Sequence, residues 1–292
     1  YSDNVPKNIE FHEIDCCDLN KVKQIIKGVD VVYHCAATAH EGLSVFSPYE
    51  ITKNNYLASI SIFTAAVNEK VKRIIFCSSM ARYGDQNTPF TEEMKPKPVD
   101  PYAISKVAAE EVLANLCELN GIEWVIAVPH NIIGPKQKYD DPFRNVISIM
   151  LNRMLQGKAP IIYGDGKQKR CFSYIDDCLS CMIPMLDQKN LNKQIINIGP
   201  DEEFVTINKV AEICSNLKPI YKKDRPREVK HALCSSDKAR KFLNYKTNTG
   251  LDEGIKKTFE YIKKRGVRPF DYNIELEIKN ELTPETWKNK EI

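Results

Sequence analysis

The sequence predicts an α/β protein with a doubly wound, Rossmann-like parallel sheet, and three observations lead there. Short β-branched runs recur along the chain, continuous rather than alternating, as strands buried on both faces of a parallel sheet are. Amphipathic stretches long enough to be crossover helices separate them. The 292 residues are also enough to bury a substantial core.

In chain order, the strands are expected at Ile9 to Ile14, Val29 to Ala36, Arg73 to Ser79, Glu123 to Pro129 and Gln194 to Ile198. The helices between them are expected at Leu19 to Lys27, Pro48 to Glu69, Ser105 to Leu119 and Ile175 to Leu186. Beyond residue 129 the alternation loosens, with helical patterns at Asn145 to Gln156, Thr206 to Asn216 and Leu251 to Lys264 separated by Gly/Pro turns. We expect residues 1–128, completed by about 170–200, to form one sheet-based domain, and 129–169 with 201–270 to form a smaller lobe over the sheet's carboxyl edge, where ligands of open α/β sheets bind. From Asp271 onward, Ile274, Leu276 and Ile278 alternate with polar residues, which predicts one exposed strand in a C-terminal extension, 271–292.

Composition narrows the function. Lysine plus arginine number 42 against 39 acids, a net charge of +3, with no concentrated basic face of the kind nucleic-acid binders carry. No apolar window approaches the roughly 18 to 20 residues that cross a bilayer, so neither nucleic acid nor membrane is expected as a partner. Ten cysteines, several inside apolar runs, are too dilute for a disulfide framework and point to a reducing, cytoplasmic setting. Cys178 and Cys181 form a C-x-x-C with no partner ligands at zinc spacing, so no metal site is expected.

A dinucleotide site in such a sheet opens with a strand, a glycine-rich turn and a helix. No such turn occurs here, and the chain starts at Tyr1 shortly before what would be the third strand. It reads either as a fragment lacking its first βαβ unit or as a truncated relative that cannot hold a cofactor in the usual way, and the apolar sheet edge that loss of a central strand would expose favours the fragment. Chemistry-bearing residues remain. Tyr102 and Lys106 are four apart, on one face of a helix, and an ammonium near a phenol lowers a pKa that is ordinarily about 10. The same spacing recurs at Tyr49/Lys53 and Tyr163/Lys167, so context decides, and only Tyr102/Lys106 follows a strand ending in Ser78-Ser79. Ser79, emerging from that strand, can hydrogen-bond a substrate oxygen and pass its proton to the tyrosine; its plainer role is to form the turn.

In order, Asp18-Leu19, Val31-Val-Tyr-His-Cys-Ala-Ala37, Asn54-Asn55, Cys77-Ser-Ser-Met-Ala-Arg-Tyr-Gly84, Tyr102-x-x-x-Lys106 and Pro129-His-Asn-Ile-Ile-Gly-Pro135 resemble the extended short-chain dehydrogenase/reductase superfamily. Within it the pattern resembles the nucleotide-sugar epimerases, nearest the UDP-glucose 4-epimerases, over about residues 9 to 264. The resemblance implies NAD as cofactor, with Asp18 and Leu19 at the adenine, Ala36 and Ala37 beside the phosphates, and Tyr102 and Lys106 at the nicotinamide ribose. It implies a nucleotide-sugar substrate held through its diphosphate by Asn131, Asn145, Arg170 and Arg225, where an arginine fork suits phosphate oxygens. Asn131 as a turn cap and the arginines as surface charges stay open. Ala232 matches a position where a bulky side chain would block N-acetylated sugars, and many relatives pair as homodimers through the helices at Pro48 to Glu69 and Ser105 to Leu119.

Departures from the family pattern narrow the reaction. Sugar-nucleotide dehydratases and decarboxylases carry an acid one or two places after the serine or threonine, where this chain has Met80 and Ala81; the 3,5-epimerase branch has a cysteine at the latter. The expected activity is C4 epimerisation of a UDP-hexose or UDP-N-acetylhexosamine through a transient 4-keto sugar, with Ser79, Tyr102 and Lys106 as the catalytic group. The alternatives are a nucleotide-sugar dehydrogenase, reductase or dehydratase, or a non-catalytic nucleotide-sugar-binding relative.

Overall fold

The computed structural model describes residues 4–292. Four strands, Val31–His34, Arg73–Cys77, Glu123–Pro129 and Gln194–Ile198, lie side by side in that order, all parallel. Their continuous apolar runs divide by the period-two geometry of a strand into two buried faces. Ile74, Phe76, Trp124, Ile126 and Val128 point to one face, where they meet Val22, Phe63, Ala109 and Leu113 of the helices Leu19–Ile25, Ala58–Asn68 and Pro101–Asn120. Ile75, Val125, Ala127, Ile196 and Ile198 point to the other, against Cys178 and Cys181 of Ile175–Met182 and Ala239 and Leu243 of Asp237–Leu243. Both thiols of the C-x-x-C thus serve as core side chains. Helix Asp237–Leu243, from a stretch expected in the smaller lobe, packs instead on this sheet.

A second core lies beyond the carboxyl edge. Helices Val146–Leu155, Ile207–Cys214 and Leu251–Arg265 bury Ile147, Leu151, Val210 and Ile255 against one another. Short strands frame them: Ile161–Tyr163 pairs with Ile220–Lys222, and Lys169–Arg170 lies between His231–Ala232 and Val205–Thr206.

Two elements sit closest to the cleft between the cores. The helix expected from Pro48 is one rod with a π-helical turn, Lys53–Leu57, between Pro48–Thr52 and Ala58–Asn68. The Asn55 amide holds that turn by donating to the carbonyls of Ile51 (2.7 Å) and Thr38 (3.0 Å). Helix Pro101–Asn120 begins where local chemistry requires: the Asp100 carboxylate accepts from the Ala103 amide at 2.9 Å, Pro101 fills the first turn, and Gly121 ends the helix at φ +67°.

Two expected strands do not form. Ile9 to Ile14 has no ladder, and Ile9 and Phe11 are 52% and 59% exposed; a strand exists only by pairing, and among the described residues none lies beside the outer edge of Val31–His34. The tail also makes no ladder. Its alternation serves an extended segment that packs side chains: Leu276, Trp287 and Ile292 join Leu43, Phe46, Phe143 and Ile161 in a separate apolar cluster. Glu277 places one carboxylate oxygen on each of the Tyr49 and Glu50 amides, both at 2.9 Å, and so caps the rod that starts at Pro48.

One buried ion pair ties the turn after strand Arg73–Cys77 to helix Pro101–Asn120. Arg82 and Glu110 are 3% and 5% exposed, joined by guanidinium–carboxylate bonds of 2.9 to 3.1 Å, and the Ser78 hydroxyl donates to the same carboxylate. Removing one member strands the other charge in the core. Glu110→Ala should cost about 3–5 kcal/mol of unfolding free energy, and Arg82→Met with Glu110→Leu together should cost clearly less than that single change, as read by denaturant titration.

Candidate active site

A cleft of about 1190 Å³ opens at the carboxyl ends of the sheet strands, between the two cores. Tyr102 and Lys106 reach it from one face of Pro101–Asn120, one turn apart, and are 6% and 2% exposed. Ser79 reaches it from the end of strand Arg73–Cys77. The turn-forming role expected of Ser79 is present, since its hydroxyl accepts from the Ala81 amide at 3.2 Å and starts the turn Met80–Tyr83.

The electrostatics differ from expectation in one respect. Burial pushes the Tyr102 phenol up to about 12; the Ser79 hydroxyl and then Arg144 pull it back, while Glu41 and Asp100 oppose ionisation. Lys106 is not among the largest of these influences. Its ammonium donates to the Cys77 carbonyl at 2.8 Å and lies over the Phe76 ring, and burial lowers its pKa to about 8. The strand end, rather than the phenol, holds the ammonium. In the protein alone the phenol is therefore neutral at ordinary pH.

The remaining expected residues divide. Asn131, Asn145, Arg170 and Arg225 line the same cleft as Tyr102. Asn131 donates to the Cys171 carbonyl (2.8 Å) and Asn145 to the Ile132 carbonyl (2.9 Å), each from a left-handed backbone position, so both do shape turns. Arg170 is held by the Val229 carbonyl at 2.7 Å; Arg225 is held by Glu228 at 2.9 Å and by the Tyr163 ring. These arginines are anchored in the cleft wall and are not free surface charges. Ala37 lines the cleft, whereas Ala36 is exposed beside it and Asp18 and Leu19 lie outside it: Asp18 caps helix Leu19–Ile25 through the Lys21 amide (3.1 Å) and Leu19 packs on the core. Ala232, paired in register with Arg170, floors a side cavity of about 30 Å³ with Met80, Ala81 and Asn131, the volume of one water.

Sequence reasoning missed Glu41. It starts the short helix Glu41–Ser44 and faces both the main cleft and the side cavity. Its side chain is open to the cleft, yet the protein packed around that cleft, and then Asp100, raise its pKa to about 6, against the pull of Arg170 and Arg225. No motif signals it, because its charged neighbours Asp100, Arg170, Arg225 and Glu228 come from three distant segments. A buried bridge, His40 Nε2 to Asp141 at 2.7 Å, fixes this segment to the far wall of the cleft.

The chain matches a sequence family described as the NAD dependent epimerase/dehydratase family over residues 1–199. It belongs to that family. It is 33% identical over 270 residues to a putative UDP-glucose 4-epimerase of Methanocaldococcus jannaschii, covering 89% of this chain and 86% of that one. It is 30% identical over 280 residues to a UDP-N-acetyl-alpha-D-glucosaminuronate decarboxylase of Bacillus cytotoxicus, covering 90% and 86%. A UDP-glucose 4-epimerase of Thermotoga maritima, solved with UDP-glucose, superimposes with a TM-score of 0.84 at 28% identity, over 91% of this chain and 88% of the other. The fold is accordingly the Rossmann-like one of the extended short-chain dehydrogenases/reductases, and NAD is the cofactor of the family.

The residues present fit that cofactor at its nicotinamide ribose. Lys106 is a buried ammonium with three donors, one of them used on the Cys77 carbonyl, and Tyr102 and Ser79 open into the same cleft.

Proposed function

We propose that the protein interconverts the C4 epimers of a nucleotide sugar, a UDP-hexose or UDP-N-acetylhexosamine, with Ser79, Tyr102 and Lys106 as the catalytic group. The single observation that carries this is the convergence of the phenol, the hydroxyl and the buried ammonium at the strand ends, in one cleft with two wall-anchored arginines. NAD, when bound, supplies an acceptor for the C4 hydride and returns that hydride to the other face of the keto sugar.

Within this account each residue has a defined task. Tyr102 Oη takes the C4 hydroxyl proton and later restores it; Ser79 hydrogen-bonds the same oxygen and, as it does in the protein alone, favours the phenolate. Lys106 offers its remaining donors to the cofactor ribose from a position fixed by Cys77. Arg170 and Arg225, with Asn131 and Asn145, hold the diphosphate while the sugar turns. Asp18, Leu19, Ala36 and Ala37 keep their proposed places along the adenosine diphosphate side. We assign the strand-bearing segments to the cofactor, the second core to the nucleotide sugar, and Ala232 to the edge of the sugar site. Leu57 and Ile104, 50% and 53% exposed on the two helices expected to pair, fit a homodimer. No helix among the described residues is long and apolar enough to cross a membrane, and the ten free thiols suit the reducing cytoplasm we assign.

Glu41 favours a second reading. It brings a carboxylate to the side cavity beside Met80 and Ala81, where the sequence offered no acid, and an acid at that place suits dehydration of the keto sugar. Mass separates the two: an epimer has the mass of its substrate, and a dehydrated product has lost one water.

Incubation with UDP-glucose and UDP-N-acetylglucosamine should give the galacto epimers at unchanged mass, and Tyr102→Phe should lower kcat at least about 100-fold, in line with loss of a general acid–base. Loss of water would support the second reading, and an unaffected Tyr102→Phe rate would remove Tyr102 from the mechanism.

Glu41 also predicts a pH dependence. Its carboxylate shares the cleft with the diphosphate's proposed partners Arg170 and Arg225, and with Asp100 and Glu228. A bound diphosphate raises the Glu41 pKa above its free value of about 6, so binding takes up a proton and tightens as pH falls toward that value. Calorimetry with UDP-glucose should show Kd dropping by about threefold to tenfold between about pH 8 and about pH 6, and Glu41→Gln should make the profile flat.

A further inference from the structure

The reaction leaves two cysteines in the cleft without a task. Cys35 immediately follows strand Val31–His34 and Cys77 ends Arg73–Cys77; His34 pairs with Phe76, so the two cysteines face each other across neighbouring parallel strands. Their sulfurs are 3.2 Å apart, Cys35 is exposed, and both line the cleft with Lys106. Adjacent strands run about 4.8 Å apart, within the Cα separations that disulfides span, and an S–S bond of about 2.05 Å needs the sulfurs to close by little more than 1 Å.

We propose that Cys35 and Cys77 form a peroxide-sensitive dithiol site at the floor of the cofactor cleft, which closes to a disulfide when the dinucleotide is absent and is shielded when it is bound. The chemistry balances with hydrogen peroxide as oxidant. The Cys35 thiolate attacks one peroxide oxygen, an S–O bond forms as the O–O bond breaks, and water leaves after protonation. The Cys77 sulfur then attacks the sulfenic sulfur, an S–S bond forms, and the second oxygen leaves as water. Two thiols lose two electrons, and the peroxide is reduced to water.

The surroundings assign the roles. The two sulfurs share one hydrogen bond in which either can be the donor; Cys35 is the exposed member, and that contact with the nearby Lys106 ammonium lowers its thiol to about 7, whereas the contact and burial push Cys77 up. Cys35 is the reactive thiolate and Cys77 the resolving partner. The other cysteines differ: Cys117, Cys171, Cys178, Cys181, Cys214 and Cys234 are buried, and Cys16 and Cys17 have raised pKa values. The proposal stands apart from the sugar chemistry, since bond formation is read by mass whether or not any sugar turns over.

Reduced full-length protein, freed of dinucleotide, is treated with stoichiometric hydrogen peroxide, digested without reductant and analysed by mass spectrometry. A Cys35–Cys77 linked peptide, 2 Da lighter than the two thiol peptides together, is expected. Cys35→Ser should abolish it and leave Cys77 a thiol. Preloading with NAD should slow it at least tenfold. Oxidation of Cys35 to the sulfinic acid with no link, or linkage through Cys16 or Cys17 instead, would overturn the pairing; equal rates with and without NAD would overturn the shielding.

Discussion

The site depends on one constraint: the loop that follows the central strand Arg73–Cys77 must be locked to the helix beside it. That lock is the Arg82–Glu110 pair with the Ser78 hydroxyl on the same carboxylate. Ser79 lies between the partners of the lock on the loop side, while Lys106 and Tyr102 lie about one and two turns before Glu110 on the helix. Any slip of helix against strand would part the phenol from the hydroxyl. A hydrophobic contact could hold the two elements together, but a bidentate, directional bond between buried charges also fixes their register. The bond from Lys106 to the Cys77 carbonyl repeats the fixation one step nearer the chemistry.

A second set of contacts holds the far wall of the cleft. His40 bridges to Asp141, and the tail carries Trp287 into a cluster with Phe46 and Phe143 and Glu277 onto the amides that open the Pro48 rod. These contacts join the sheet-bearing segments to the second core without passing through the reacting groups. The cleft is thus framed by buried polar bonds and apolar packing, and its lining is more apolar than polar.

Sheet, crossovers and the shared helix face of Tyr102 and Lys106 were legible in the sequence because each has a local cause. Strands Glu123–Pro129 and Gln194–Ile198 match their apolar runs, and Asp100 before Pro101 marks a helix start whose fourth-residue spacing puts Tyr102 and Lys106 on one face. What could not be read depended on partners distant in sequence. Ile9 to Ile14 has strand composition but no neighbour to pair with among the described residues, and the alternating tail found side-chain packing instead of a ladder. Glu41 has an ordinary local context, and only the assembled cleft surrounds it with Asp100, Arg170, Arg225 and Glu228. The direction in which Lys106 points was equally invisible, since the spacing gives a shared face and not a shared partner.

That last point defines the central claim. Burial keeps the Tyr102 phenol protonated in the protein alone, and Ser79 and Arg144 lower its pKa only in part. Under the proposed function, oxidised NAD would supply the further positive charge that makes the phenol a base. An ultraviolet difference titration of tyrosinate between the protein and its Tyr102→Phe variant, with and without NAD, tests this directly. The account predicts that Tyr102 stays protonated through about pH 10 without the dinucleotide and ionises at least about one pH unit lower with it. Ionisation below about pH 10 in the dinucleotide-free protein, or the same titration in both states, would contradict it.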